Sequence, residues 1–180
     1  LFIAADNSEG LRHAAPSTFV IAEALQAVGA TSARERVSLR VRLRSGDVRT
    51  IHVPSRPWRE PVAWSLGRLV PLDSAPLYRR HTNRAYWFEV LPADSTLYIA
   101  YNRATDDPAD PIEPFAERVG RAAREPGIRR VVVDFRLNSG GNSGYFRFIE
   151  RELVAARDAR RDLVLVGIIG RRTFSSGLWN

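Results

Sequence analysis

VVVDFRLNSGGNSG (131–144) and, after a helical interval, LVLVGIIGRRTFSSG (163–177) are the stretches that decide the fold of this chain. Each opens on a run of branched apolar residues, the pattern of a strand buried on both faces of a parallel sheet. Each ends in a turn built from glycine and small polar residues. Between them Phe146, Ile149, Leu153 and Ala156 recur at helical spacing. Strand, helix and strand in that order form a βαβ unit, and a right-handed crossover makes its two strands parallel neighbours. The turns that follow the strands then meet at one carboxyl edge, where open α/β sheets place their ligand sites.

Working outward, Ile112, Phe115, Val119 and Ala122 predict a helix that Pro126 and Gly127 end. Before it, Tyr86–Val90 and Leu97–Tyr101 read as strands of a hairpin turning at Pro92–Ser95, and the acidic residues Asp106, Asp107 and Asp110 follow. Pro54, Pro57, Pro61, Pro71 and Pro76 mark a long connection. Ahead of it, VSLRVRLR (37–44) alternates strictly, and the Ser45–Asp47 turn leads into VRTIHV (48–53), predicting a half-buried hairpin. Ile21, Ala24, Leu25 and Val28 predict an amphipathic helix over 18–28, capped by Ser17 or Thr18 and stopped at Gly29. The expected organisation is a small α+β module to residue 75, then an α/β core from 76 to 180.

The converging turns carry the chemistry. Asp134–Gly144 supplies small residues, close backbone approach and outward N–H groups; Gly170–Gly177 ends in two serines about to enter a helix. A serine there has an exposed hydroxyl, and the next residue's amide stabilises developing negative charge. A glycine loop opposite supplies a second donor, so the pair meets the needs of acyl transfer by a serine nucleophile, apart from a base. Two blander roles compete. Ser175 serves equally as a helix N-cap, and NSGGNSG could cradle a phosphate, although neither GxGxxG spacing nor a P-loop lysine accompanies it.

The order VVVDFRLNSGG then LVLVGIIGRRTFSSG, with YWFEVLPADSTLYIAYN (86–102) upstream, resembles the tail-specific, or C-terminal processing, serine peptidases over residues 86–180. The resemblance implies a crotonase/Clp-protease-like ββα core, incomplete here, that binds substrate peptide as an added strand. It places the nucleophile at Ser175, with Ser176 as the alternative. The oxyanion donors are the amide of Ser176 and that of Gly140 or Gly141, and Asp134, Arg136 and Asn138 shape the glycine loop. The family's base is a lysine downstream of the nucleophile. Leu178 stands where many members have an acidic residue, and Phe135 replaces a leucine. The family leans towards exported proteins, and a non-catalytic member of the same fold that binds peptides or a partner at the same edge is the alternative reading.

Composition narrows the chemistry further. All 27 basic residues are arginine. With neither lysine nor cysteine, these 180 residues offer no amine base, thiolate nucleophile or disulfide. The absence of methionine makes Leu1 read as an internal residue and the chain as an excerpt of a longer protein. The formal charge of +7 is spread from Arg12 to Arg172. Arg40, Arg42 and Arg44 share a strand face without interleaved aromatics, so nucleic acid is not an expected partner. No membrane span, metal or organic cofactor is expected; Asp106, Asp107 and Asp110 lack EF-hand spacing. His13, His52 and His81 read as structural or solvated, with His81 the one considered as an alternative base. Trp58 and Trp64 are expected to pack in the connection or line a peptide groove.

Overall fold

A computed structural model describes residues 7–18, 21–32, 35–55 and 75–179, with Ser17 and Trp179 described by their backbone alone. The chain divides into two compact units, Leu1–Leu66 and Gly67–Asn180. Most of the proline-rich connection, including Trp58 and Trp64, lies outside the described residues.

In the first unit, helices α1 (Ser8–Thr18) and α2 (Ala22–Ala27) precede an antiparallel pair, β1 (Arg36–Arg42) and β2 (Val48–Pro54). The single helix expected over 18–28 is therefore corrected. Thr18 closes α1, its hydroxyl donating to the Ala14 carbonyl at 3.2 Å, and Val28 lies beyond α2 and is exposed. α1 starts where the Asn7 side chain accepts the N–H groups of Glu9 and Gly10, at 3.0 and 2.9 Å, which satisfies donors that a helix start leaves free. Gly29 does end α2. At φ +71° it lets the Ala30 N–H reach back to the Leu25 carbonyl at 2.8 Å, the bond of a Schellman stop. The hairpin has the expected alternation but less burial than expected. Val37 is buried and Leu39 and Val41 half-buried, while Val48 and Ile51 are exposed. Among the described residues no third strand joins this two-stranded sheet.

The second unit is a mixed four-stranded sheet in the order β3 (Tyr86–Leu91), β4 (Thr96–Tyr101), β5 (Arg130–Asp134), β6 (Val164–Ile168). β3 and β4 form the expected hairpin, with Ser95 left-handed at its turn (φ 47°). β4, β5 and β6 run parallel, joined through α3 (Ile112–Ala123) and α4 (Phe146–Ala159). The stripe Phe146, Ile149, Leu153 and Ala156 is the buried face of α4. With Phe115, Ala116 and Val119 of α3 it covers Leu97, Ile99, Tyr101, Val131 and Val133 from the sheet. The two helices approach closely at Gly120, where a Cβ would lie 3.0 Å from the Glu152 Cβ. On the opposite face Trp87, Tyr98 and Ala100 are buried under Leu77, Tyr78 and Leu91.

One strand departs from expectation. β6 is not buried on both faces: Val164, Leu165 and Val166 are exposed, and Leu163 just before it is fully buried. Among the described residues β6 is the sheet's edge and pairs with β5 alone, which leaves its outer backbone side and much of its side-chain surface open.

Ile149→Ala is expected to destabilise the second unit by about 2–5 kcal/mol, since Ile149 is fully buried at the centre of the helix–sheet core; urea unfolding of the 180-residue chain measures it. Burial, above all, also pushes the Tyr86 hydroxyl up to about 12, and Tyr98 and Tyr101 are raised for the same leading reason. Above the ordinary tyrosine value near 10 the unfolded chain loses these protons first. It then binds fewer protons than the native state, so stability should fall as pH rises from about 10 to 12, read as a declining urea midpoint.

Candidate active site

The turns after β5 and β6 are stitched together at the carboxyl edge. The Phe135 N–H donates to the Ile168 carbonyl at 2.8 Å, extending the strand pairing by one residue. Beyond it Thr173, which is buried, donates its hydroxyl to the Phe135 carbonyl at 2.8 Å and accepts the Gly170 N–H at 2.9 Å. The Phe174 N–H then donates to the Asn138 carbonyl at 3.0 Å. This sequence of bonds carries the serine turn onto the glycine loop.

Ser175 is exposed and sits at φ 51°, a left-handed conformation that a residue with a side chain adopts at a cost of about 1–2 kcal/mol. A serine held this way between a strand and a helix presents its hydroxyl outward. Its hydroxyl makes no hydrogen bond to a described residue. Ser176, one residue on and the first of the short helix α5 (Ser176–Trp179), is buried, and its hydroxyl also lacks a partner among the described residues. Exposure separates the two serines: Ser175 is exposed, whereas the Ser176 hydroxyl is buried. The N-cap role is absent as well, because the Ser175 side chain accepts no backbone N–H. Its carbonyl, in contrast, accepts the Leu178 N–H at 2.8 Å.

The glycine loop lies against this serine. A Cβ on Gly140 would stand 2.8 Å from the Ser175 Cβ and 3.4 Å from its Oγ, closer than packed atoms sit, and Gly140 has φ +107°. Only glycine meets both demands. Gly141, at φ +136°, has no room for a Cβ beside the Ala104 carbonyl. Ala104 donates its N–H to the Gly140 carbonyl at 3.4 Å and accepts the Asn142 N–H at 2.8 Å, a one-residue parallel bridge to the loop. An alanine carries no chemical signal, so its part in holding the loop is invisible in the sequence.

The loop amides differ. The Gly140 N–H donates to Asn138 Oδ1 at 2.8 Å, whereas no described residue accepts the Gly141 N–H, and Gly141 is exposed. The Ser176 N–H, at the start of α5, is likewise without a described acceptor. Of the three candidate donors, the Gly141 and Ser176 amides have no described acceptor and the Gly140 amide is already engaged.

Asp134 and Arg136 form a separate network beneath the loop. The Asp134 carboxylate, 2% exposed, accepts the Tyr98 hydroxyl at 2.8 Å, the Arg136 N–H at 2.9 Å and the Arg136 guanidinium. The guanidinium carbon lies 3.9 Å from the centre of the Tyr78 ring, and a Cβ on Gly170 would stand 3.0 Å from the Arg136 Cγ. Burial first, then the bond to Asp134, holds the Tyr98 hydroxyl well above its ordinary value. The same carboxylate raises the Arg136 guanidinium. Every charge here is partnered, so these residues fix the strand end that launches the glycine loop.

The remaining candidates lie in other arrangements. The Asp106 carboxylate accepts the Ile112 N–H at 2.8 Å at the start of α3, and Asp110 pairs with Arg118 at 2.7 Å. Among the described residues no group of three or more metal-ligating side chains gathers. His52 hydrogen-bonds Ser38 at 2.9 Å in the first unit, where His13 is exposed on α1, and His81 packs edge-on against the Trp87 ring. No described helix is long and apolar enough to cross a membrane.

Gly140→Ala is expected to cost about 1–3 kcal/mol, from the left-handed backbone and the contact with Ser175 together. Gly167→Ala in β6, where a Cβ meets nothing within 4 Å, serves as the control and should shift the urea midpoint little. Comparison of the chain with protein-family models, with curated proteins and with solved structures found no match.

Proposed function

We propose that residues 86–180 carry the nucleophile half of a serine peptidase site of the tail-specific type, on a crotonase-like core. The observation that supports this best is the contact of Gly140 with an exposed, left-handed Ser175, flanked by the free amides of Gly141 and Ser176. In this reading Ser175 Oγ attacks a peptide carbonyl carbon and gives its proton to a base. The oxygen takes up negative charge and is held by the Gly141 and Ser176 N–H groups. Collapse breaks the C–N bond, the amine leaves with the proton, and water then hydrolyses the acyl ester to free Ser175. The resemblance assigns the base to a lysine downstream of the nucleophile. These 180 residues contain none, so the proposal takes the base from outside them. No metal or organic cofactor enters the scheme.

A peptide-binding protein without cleavage is the second reading, favoured by the open edge of β6. The pairing of Val164 and Ile168 with β5 turns the backbone groups of Leu165 and Gly167 outward, where an extended chain can add as a further strand.

The test uses the longest natural protein that contains this segment, with unstructured peptides of apolar C-terminus as substrates. Ser175→Ala should lower kcat/KM by about a thousandfold or more with peptide binding retained. Equal cleavage by both forms rejects the nucleophile. Peptide binding by both forms, with cleavage by neither, supports the second reading.

A further inference from the structure

We propose that Asn138 is a positioning residue that makes Gly141 rather than Gly140 the loop's oxyanion donor, and that it sets the distance between that donor and the Ser176 amide. The inference rests on the serine-peptidase reading above and adds to it the residue that aligns the two donors.

Asn138 is fully buried between the two arms of the site. Through Oδ1 it accepts the Gly140 N–H at 2.8 Å. Through its carbonyl it accepts the Phe174 N–H at 3.0 Å, one residue before the nucleophile. Its own N–H is tied to the Phe135 carbonyl at 2.9 Å, which fixes it to the end of β5. On the other side Gly177 lies so close that a Cβ there would stand 2.8 Å from the Asn138 carbonyl oxygen and 3.2 Å from Cγ. One side chain therefore touches the residue before the loop donor and the residue after the turn donor.

The consequence for the amides is geometric. Successive N–H groups in a glycine pair with positive φ at both positions can reorient at little steric cost, because neither residue has a Cβ. Holding the Gly140 N–H inward, while Ala104 brackets the loop through the Gly140 carbonyl and the Asn142 N–H, leaves the Gly141 N–H outward and unspent. Without the Asn138 acceptor the Gly140 amide is released, and the peptide plane that carries the Gly141 N–H is held only through its Gly140 carbonyl by the long 3.4 Å bond from the Ala104 N–H, so it turns more easily away from the oxyanion position. A donor displaced by about 1 Å loses much of its value in the transition state while ground-state substrate binding stays nearly the same.

Amide hydrogen exchange of the 180-residue chain, followed residue by residue, tests the arrangement without requiring activity. Gly140 should exchange at least about tenfold more slowly than Gly141; equal rates or the reverse order overturn the proposal. In the longest natural protein, Asn138→Ala should lower kcat by about 100- to 1,000-fold with KM within about twofold, matching the loss of one oxyanion donor. Affinity for a peptide aldehyde, which forms a tetrahedral adduct, should fall in parallel. Asn138→Asp, in the neutral form that full burial favours, keeps an oxygen for the Gly140 N–H and should recover most of kcat. An unchanged kcat in Asn138→Ala, or an Asn138→Asp protein that is folded and as slow as the alanine variant, overturns the role. Should Asn138→Ala not fold, Asn138→Asp and the exchange order decide. Failure of the parent reading looks different: Ser175→Ala then cleaves as well as wild type, whatever the exchange rates at Gly140 and Gly141.

Discussion

The parallel pairing of β5 with β6, continued past the strand ends by the Phe135 N–H, the Thr173 hydroxyl and the Phe174 N–H, is the constraint from which the site follows. Parallel neighbours end at the same sheet edge, so their turns are adjacent by topology. Adjacency alone does not set atoms within 3 Å of each other. That is done by the three bonds beyond the strands, which turn two separate loops into one hydrogen-bonded body.

The backbone polar groups of the two loops account for their own placement. Buried carbonyls at Phe135 and Asn138 need donors, and the serine turn supplies them from Thr173 and Phe174. Among the candidate donors, the amides of exposed Gly141 and buried Ser176 have no described acceptor. The same economy holds beneath the loop, where the buried Asp134 carboxylate is matched by Tyr98 and Arg136. An unpartnered charge at 2% exposure would cost several kcal/mol, so this pairing keeps the strand end intact.

Within the second unit's sheet, exposed apolar surface is concentrated on the last strand. Val164, Leu165, Val166 and Ile169 are exposed, as are Phe174 and Leu178 around the serine turn. The other three strands have a helix layer on one face and aromatic packing around Trp87 and Tyr98 on the other. An edge of this kind carries backbone groups at the spacing of a further ladder.

The sequence by itself determined the elements of the second unit and the meeting of its two turns. Helical spacing at Phe146, Ile149, Leu153 and Ala156, branched runs at 131–135 and 163–169, and glycine stops are local signals with local causes. It was less informative in the first unit, where α1 hides behind Pro16 and is announced only by the Asn7 cap. Tertiary structure decided what depends on neighbours distant in the chain. β6 is exposed because nothing pairs with its outer side among the described residues, a fact that its apolar composition conceals. Ser175 is left-handed and exposed, and Ser176 buried, because Thr173 and Phe174 are pinned to Phe135 and Asn138, 38 and 36 positions earlier. The choice of Gly141 over Gly140 as the free donor depends on one side-chain oxygen, and a glycine pair looks the same in sequence whichever amide is occupied.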